Sequence, residues 1–376
     1  MPIRRQKPLD SLLLPIVILL VFAAYYCHRF LGAPALLEGD SLQNIYFRLH
    51  EALVKADHNP YQWDYSAFMP FIGQNNPIIK LVSLATPFAM KSASAVAQAF
   101  TVNVVVSIIL LWLLSCSVFL FMRFQQLSIL GSMLGAIVVS YTGFHLVGVR
   151  EFDHFYLMSF IAVGPTLLCF NQMIESNNKI VWTSAAALII GLSLLGGTNA
   201  PLYYYLPVFL LLPFLKQGRV AAWKSLGWQL GAAALGIGIA SQTLFPAVTF
   251  LPLTNRSQLS FFDPVPVRLW EIIQSILFRD WALHTPMHYH EMDHFIGLPV
   301  LVLFIFGCYS TLTSKEKKFR PIALLMVACL AFSTLVELQP YLPKWVAAPI
   351  AFIFEKVSIR FPHRFFMAWL FPVAYF

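Results

Sequence analysis

Val104-Val105-Val106-Ser107-Ile108-Ile109-Leu110-Leu111-Trp112-Leu113-Leu114-Ser115-Cys116-Ser117-Val118-Phe119-Leu120-Phe121-Met122 carries no charge, and it lies inside a longer apolar stretch at 97–122. A helix rises 1.5 Å per residue, so a run of ~20 apolar residues spans the hydrocarbon of a bilayer. Arg123 closes the stretch. Comparable stretches lie at 11–31, 127–149, 155–173, 180–197, 202–215, 226–250, 295–313 and 321–338, and one more begins at 365. The 202–215 stretch is short, which suits a tilted or partly re-entrant segment. The predicted fold class is all-α: a polytopic helical membrane protein of about ten spans, 1–376 forming a single transmembrane domain. The last stretch is cut off at Phe376, so we expect a chain truncated at its C-terminus.

Composition supports a lipid solvent. The chain is 59% hydrophobic and 11% charged, too little polar surface for a soluble protein of this size. Aromatic residues make up 15%, which suits interfacial belts and pockets for lipid-linked or sugar ligands. The formal net charge of +8 is not gathered into a basic run with interleaved aromatics, so nucleic acid is excluded as a partner. Cys27, Cys116, Cys169, Cys308 and Cys329 all fall in apolar stretches. Their spacing fits neither a disulfide framework nor a zinc site, and they read as small buried hydrophobes. Arg4, Arg5 and Lys7 precede the first stretch, which is too long for a signal-peptide core and reads as a retained signal-anchor helix. Gly32-Ala33-Pro34-Ala35 bears only a faint likeness to a cleavage site.

Charge sets the orientation. With the N-terminus in the cytoplasm, alternation places Arg123, Lys179, Lys216, Arg219, Lys224, Lys315, Lys317, Lys318 and Arg320 inside as well. The inside segments then hold twelve basic residues against three acids, Asp10, Glu175 and Glu316, as the positive-inside rule requires. The expected location is the plasma (inner) membrane, with a multi-pass chain. Three outside loops are long, at 32–96, 251–294 and 339–364. In the first, Asp40-Ser41 caps an amphipathic helix through Lys55, with Leu42, Ile45, Leu49, Leu53 and Val54 on one face. Asn59-Pro60-Tyr61-Gln62-Trp63-Asp64 turns the chain, and Pro77–Met90 reads as a second interfacial segment.

The candidate chemistry lies in these loops. Asp40 follows Gly39 just past the first span. A carboxylate beside hydrocarbon is costly and suits a general base or an ion ligand, although an N-cap also favours Asp. Glu151 and Asp153 form an acid-x-acid pair next to His154, suited to a hard cation, or else to a solvated turn paired with Arg150. His290-Glu291-Met292-Asp293-His294 matches the zinc-binding H-E-x-x-H pattern, but Val300 stands where a longer zinc motif has its third histidine. We read His154, His290, Glu291 and His294 as an auxiliary polar cluster. Arg256, Arg360 and Arg364 are forked donors suited to phosphate, with snorkelling to lipid headgroups as the alternative. Gly196-Gly197 followed by Tyr203-Tyr204-Tyr205 marks a helix end with an interfacial tyrosine belt.

Several motifs recur in a familiar order. They are Gly39-Asp40, Asn59-Pro60-Tyr61-Gln62-Trp63, Asp153-His154 with Gly164-Pro165, and Gly196-Gly197 with Tyr203-Tyr204-Tyr205. Phe245-Pro246 with Asn255-Arg256-Ser257, Glu291 through Gly297, and Arg360-Phe361-Pro362-His363-Arg364-Phe365 complete the series. Together they resemble the GT-C superfamily of polytopic glycosyltransferases, and most closely the YfhO-type bacterial membrane proteins. The resemblance implies a multi-span core, a large first extracytoplasmic loop with amphipathic helices, a polyprenyl-phosphate sugar donor and a cell-envelope acceptor. It assigns Asp40 the catalytic role, and Glu151 and Asp153 a metal-binding or second acidic role. Arg256, Arg360 and Arg364 are expected at the donor phosphate. The cofactor is left open, with Mg or Mn as the candidate cation. Relatives of this type are usually longer. The competing expectations are a transporter or flippase of envelope precursors, an inactive assembly partner, and a membrane zinc protease.

Overall fold

The computed structural model describes residues 10–27, 63–64, 69–70, 95–142, 154–195, 205–241, 244–245, 296–313, 320–338 and 342–349. These residues are helical apart from one small ladder, as the all-α reading expects. The helices are α1 (Asp10–Cys27), α2 (Ala95–Phe124), α3 (Ile129–Ser140), α4 (His154–Glu175) and α5 (Lys179–Leu195). They continue as α6 (Leu206–Lys216), α7 (Arg219–Ile239), α8 (Leu298–Thr313) and α9 (Arg320–Glu337). The ladder pairs β1 (Trp63–Asp64) antiparallel with β2 (Met69–Pro70), Trp63 opposite Pro70 and Asp64 opposite Met69. β1 occupies Trp63-Asp64, the last two residues of the predicted Asn59–Asp64 turn, and adds extended pairing that the reading of the loop did not include.

Two segments, Val104–Phe124 and Leu157–Glu175, are long and apolar enough to cross a membrane. Five shorter apolar helices accompany them among the described residues. Large apolar side chains also stand on their outward faces. Leu13, Leu14, Val21 and Phe22 are exposed on α1, and Val302, Leu303, Ile305 and Phe306 on α8. Water would penalise such a surface by roughly 25 cal/mol per Å² of apolar area, whereas hydrocarbon does not. Composition and surface together are those of a membrane-associated chain.

The core begins with α1, α2 and α3. The Trp112 indole on α2 donates to the Ile16 carbonyl of α1 at 3.1 Å, and Ser115 donates to the Ser140 hydroxyl of α3 at 2.8 Å. Tyr26 and Tyr141 meet edge to face at 5.6 Å. Between α2 and α3 the chain reverses through a Schellman turn. Gln126 N–H bonds to Arg123 O and Leu127 N–H to Met122 O, with Gln126 at φ 66°. The Arg123 guanidinium also donates to Leu127 O. Ser128 then caps α3, accepting from Gly131 N–H at 3.0 Å.

Helix α4 lies against α2 at Gly164. A Cβ at Gly164 would come within 3.0 Å of Ser117 O, so the close approach of the two backbones explains this half of the Gly164-Pro165 motif. Cys27, Cys169 and Cys329 are buried, and none of the five cysteines is in a disulfide, as expected for small hydrophobes. Tyr205 is completely buried, so it belongs to the core and not to a tyrosine belt. It stands just before α6 and belongs to the same buried core as Val208 and Phe209. Tyr203 and Tyr204 lie outside the described residues.

Several span boundaries shift: α3 ends at Ser140, short of the predicted 149, and α7 ends at Ile239, short of the predicted 250. Helix α6 covers eleven residues, or about 16 Å, too short to cross hydrocarbon, in line with the short 202–215 stretch. Helix α7 starts at Arg219, seven residues before the predicted 226. Gly218 provides the cap position and the long stems of Arg219 and Lys224 extend the helix beyond the apolar stretch, so a charge does not end it.

Candidate functional site

The residues chosen from the sequence are placed as follows. Asp40, Glu151, Asp153, Arg256, Arg360, Arg364, His290, Glu291 and His294 lie outside the described residues. His154 is the first residue of α4, and its side chain is outside the description too. The loop elements assigned to 32–96, 251–294 and 339–364 are likewise outside it, apart from β1, β2, the first two residues of α2 and residues 342–349, helical over 344–349.

The structure does assemble a polar cluster where four helix ends meet. α4 and α5 are joined by only three residues, 176–178, with Ser176 N–H bonded to Gln172 O and Asn178 N–H to Ser176 Oγ at 3.1 Å. α6 and α7 are joined by Gln217 and Gly218. Side chains tie these two corners together. The Lys216 ammonium donates to the Asn171 amide oxygen and to Glu175 Oε1, the latter at 2.7 Å. Gln217 Nε2 donates to Ile174 O at 3.1 Å, and Ser225 Oγ donates to Gln217 Oε1 at 2.8 Å. The ends of α4 and α6 and the starts of α5 and α7 therefore share one face. Lys179, Lys216, Arg219 and Lys224 all gather near it, with Glu175 as the nearby acid.

Burial grades across this cluster. Glu175 is 52% exposed while Lys216 is 17% exposed, so the pair is solvent-screened on its acidic side and contributes at most about 1 kcal/mol. Asn171 is buried and supplies the carbonyl that the half-sunk ammonium needs. Deeper in, Gln229 is 3% exposed and both of its amide atoms lack a partner. The Thr183 hydroxyl on α5 is buried and unpartnered as well.

The glycines set how closely α5 and α7 approach. A Cβ on Gly236 would lie 2.8 Å from Ile190 Cγ2 and 3.0 Å from Ala187 O. A Cβ on Gly191 would lie 2.8 Å from Ile239 Cβ. The buried stripe of α7 reads Ala222, Ser225, Leu226, Gln229, Ala232 and Gly236, small or polar at helical spacing apart from Leu226. Membrane helices pack this way, through small residues that bring backbones together.

Chemically, this cluster links helices and offers hydrogen bonds. It contains no nucleophile paired with a base, and among the described residues no group of three His, Cys, Asp or Glu side chains could hold a metal. In the sequence Lys216, Glu175 and Lys179 read only as loop charges, and nothing in it groups Asn171, Gln217, Ser225 and Gln229 with them. The available signal was Gln229 itself, an amide standing in an otherwise apolar or small helical stripe. No protein-family model matches this chain, and neither any curated protein nor any solved structure matches it.

Proposed function

We propose that this chain is a multi-pass membrane glycosyltransferase of GT-C type, close to the YfhO-type proteins. It moves a sugar from a polyprenyl-phosphate donor to a cell-envelope acceptor at the outer membrane face. The observation that carries this is Gly39-Asp40, a carboxylate placed directly after the first long apolar stretch and followed by a long outer loop. The apolar outward faces of α1, α7 and α8 support a lipid setting. The collected basic ends of α5, α6 and α7 support assigning that face to the cytoplasm. The ten-span topology and inner-membrane location belong to the same proposal.

In this mechanism the Asp40 carboxylate takes the proton from the acceptor hydroxyl. The freed oxygen attacks the anomeric carbon as the bond from that carbon to the phosphate oxygen breaks. The polyprenyl phosphate departs with the bonding pair, and a single displacement inverts the anomeric centre. Arg256, Arg360 and Arg364 supply the positive charge that steadies the departing phosphate. The test is sugar transfer from a synthetic polyprenyl-phosphate donor to envelope extracts, comparing the native chain with Asp40→Asn. The variant is expected to express normally and lose transfer. Equal transfer by both would remove Asp40 from the mechanism.

One observation favours a second reading, a transporter or flippase: the unpartnered polar atoms of Gln229 and Thr183 inside the helix bundle. Movement of a labelled lipid-linked sugar across vesicles, unaffected by Asp40→Asn, would select it.

A further inference from the structure

We infer that the seam between α5 and α7 holds bound water, captured by the Gln229 amide and the Thr183 hydroxyl and fed from the basic face of the bundle. This site is independent of the glycosyltransferase reading.

The geometry begins with register. The starts of α5 and α7 share one end of the bundle, so the two helices run in the same direction. Gly236 sits against Ile190. Seven residues back, two helical turns, are Gln229 on α7 and Thr183 on α5. The two side chains therefore come to the same level, about 6 Å inside the start of α5 at Lys179. Both lie on buried stripes, Gln229 with Ala232 and Gly236, Thr183 with Ala187 and Ile190.

Bonding need comes next. The amide of Gln229 has a two-hydrogen donor and a carbonyl acceptor, and Thr183 has one hydroxyl that does both. None of these three atoms has a hydrogen-bond partner among the described residues. Threonine in a helix ordinarily bonds back to its own backbone one turn earlier, and Thr183 does not. Polar atoms left bare in an apolar bundle are costly, and nature fills such places with water making two to four bonds.

The donor set also selects the ligand. It is neutral, so it gives an ion no compensating charge. It both donates and accepts, which matches water. Polar groups also lead toward the seam. Ser225 lies one turn below Gln229 on the same stripe and bonds Gln217, which in turn bonds Ile174 O at the face carrying Lys216 and Glu175. Polar groups thus continue from that face to the seam.

The experiment uses the full chain in lipid bilayers with its glutamines labelled by nitrogen-15. Magnetisation transfer from water to side-chain amide protons is measured by solid-state NMR. Gln229 is assigned by the signal missing in Gln229→Met. A strong water transfer to Gln229 Nε2 that falls at least several-fold in Thr183→Val is the expected result. Folding of Thr183→Val is checked by unchanged transfer at the other glutamines. No water transfer to Gln229 would overturn the proposal. Transfer of equal strength in Thr183→Val would overturn the shared site, as would a direct Gln229–Thr183 contact without water.

Discussion

Replacing Gly236 by Ala and, separately, Gly238 by Ala should change stability in opposite directions. The two glycines are two positions apart on α7, so helix propensity treats them alike. Alanine gains about 1 kcal/mol over glycine in a helix interior. Their surroundings differ. A methyl on Gly238 meets nothing within 4 Å, so that gain is kept in full. A methyl on Gly236 meets Ile190 Cγ2 at 2.8 Å, Ile190 Cβ at 2.9 Å and Ala187 O at 3.0 Å. The Ile190 methyl can shift by a rotamer change, but the Ala187 carbonyl is backbone and cannot turn away. Overpacking of this kind costs about 1–3 kcal/mol. With the carbonyl fixed, the upper half of that range applies. Net destabilisation of about 1–2 kcal/mol remains after the propensity gain. The two variants should therefore differ by about 2–3 kcal/mol. Unfolding by SDS in mixed micelles, followed by tryptophan fluorescence, reads this difference. Adding Ile190→Ala to Gly236→Ala should recover part of the loss and show coupling between the two sites. The packing scheme fails if both glycine variants shift stability the same way, or if Ile190→Ala is simply additive.

Two further outcomes are expected. Ser115→Ala and Ser140→Ala should couple in a double-mutant cycle by about 0.6 kcal/mol, the usual size of an interhelical hydrogen bond in a membrane, as measured by the same unfolding assay. Gln126→Gly should stabilise the α2–α3 turn by about 1 kcal/mol, because glycine occupies φ 66° without the Cβ conflict that glutamine bears, and a lower SDS midpoint for this variant would refute that account.

The helices were the legible part of the sequence. The uncharged run of Val104–Met122 declares α2, because apolar length is a property of consecutive residues. The corner at Gln125–Ser128 was visible only as a break marked by Arg123. The turn type depends on Gln126 adopting a left-handed conformation that its side chain does not advertise. The start of α7 was misplaced because hydropathy stops at charge, whereas a helix with flexible basic stems does not. The polar cluster was missed for a different reason. Asn171, Lys216, Gln217 and Ser225 come from separate helices, and only packing brings them together. Tyr205 shows the reverse failure: beside Tyr203 and Tyr204 it looks interfacial, yet its ring is entirely enclosed. Asp40, Glu151, Asp153, Arg256, Arg360 and Arg364 stand out by residue type and position alone, and they fall outside the described residues.

Helix α7 turns a narrow ribbon of its circumference inward: six of its twenty-one residues, from Ala222 to Gly236, are buried. Most of the rest of that cylinder faces outward, with Ile239 packed against Gly191 of α5. Sequence drift should then proceed at two speeds on a single helix, with aliphatic residues exchanging freely over the outer arc while a thin spiral of small side chains and one amide stays fixed. A protein built this way can retune how it sits among lipids of different thickness without disturbing the contact that joins its helices.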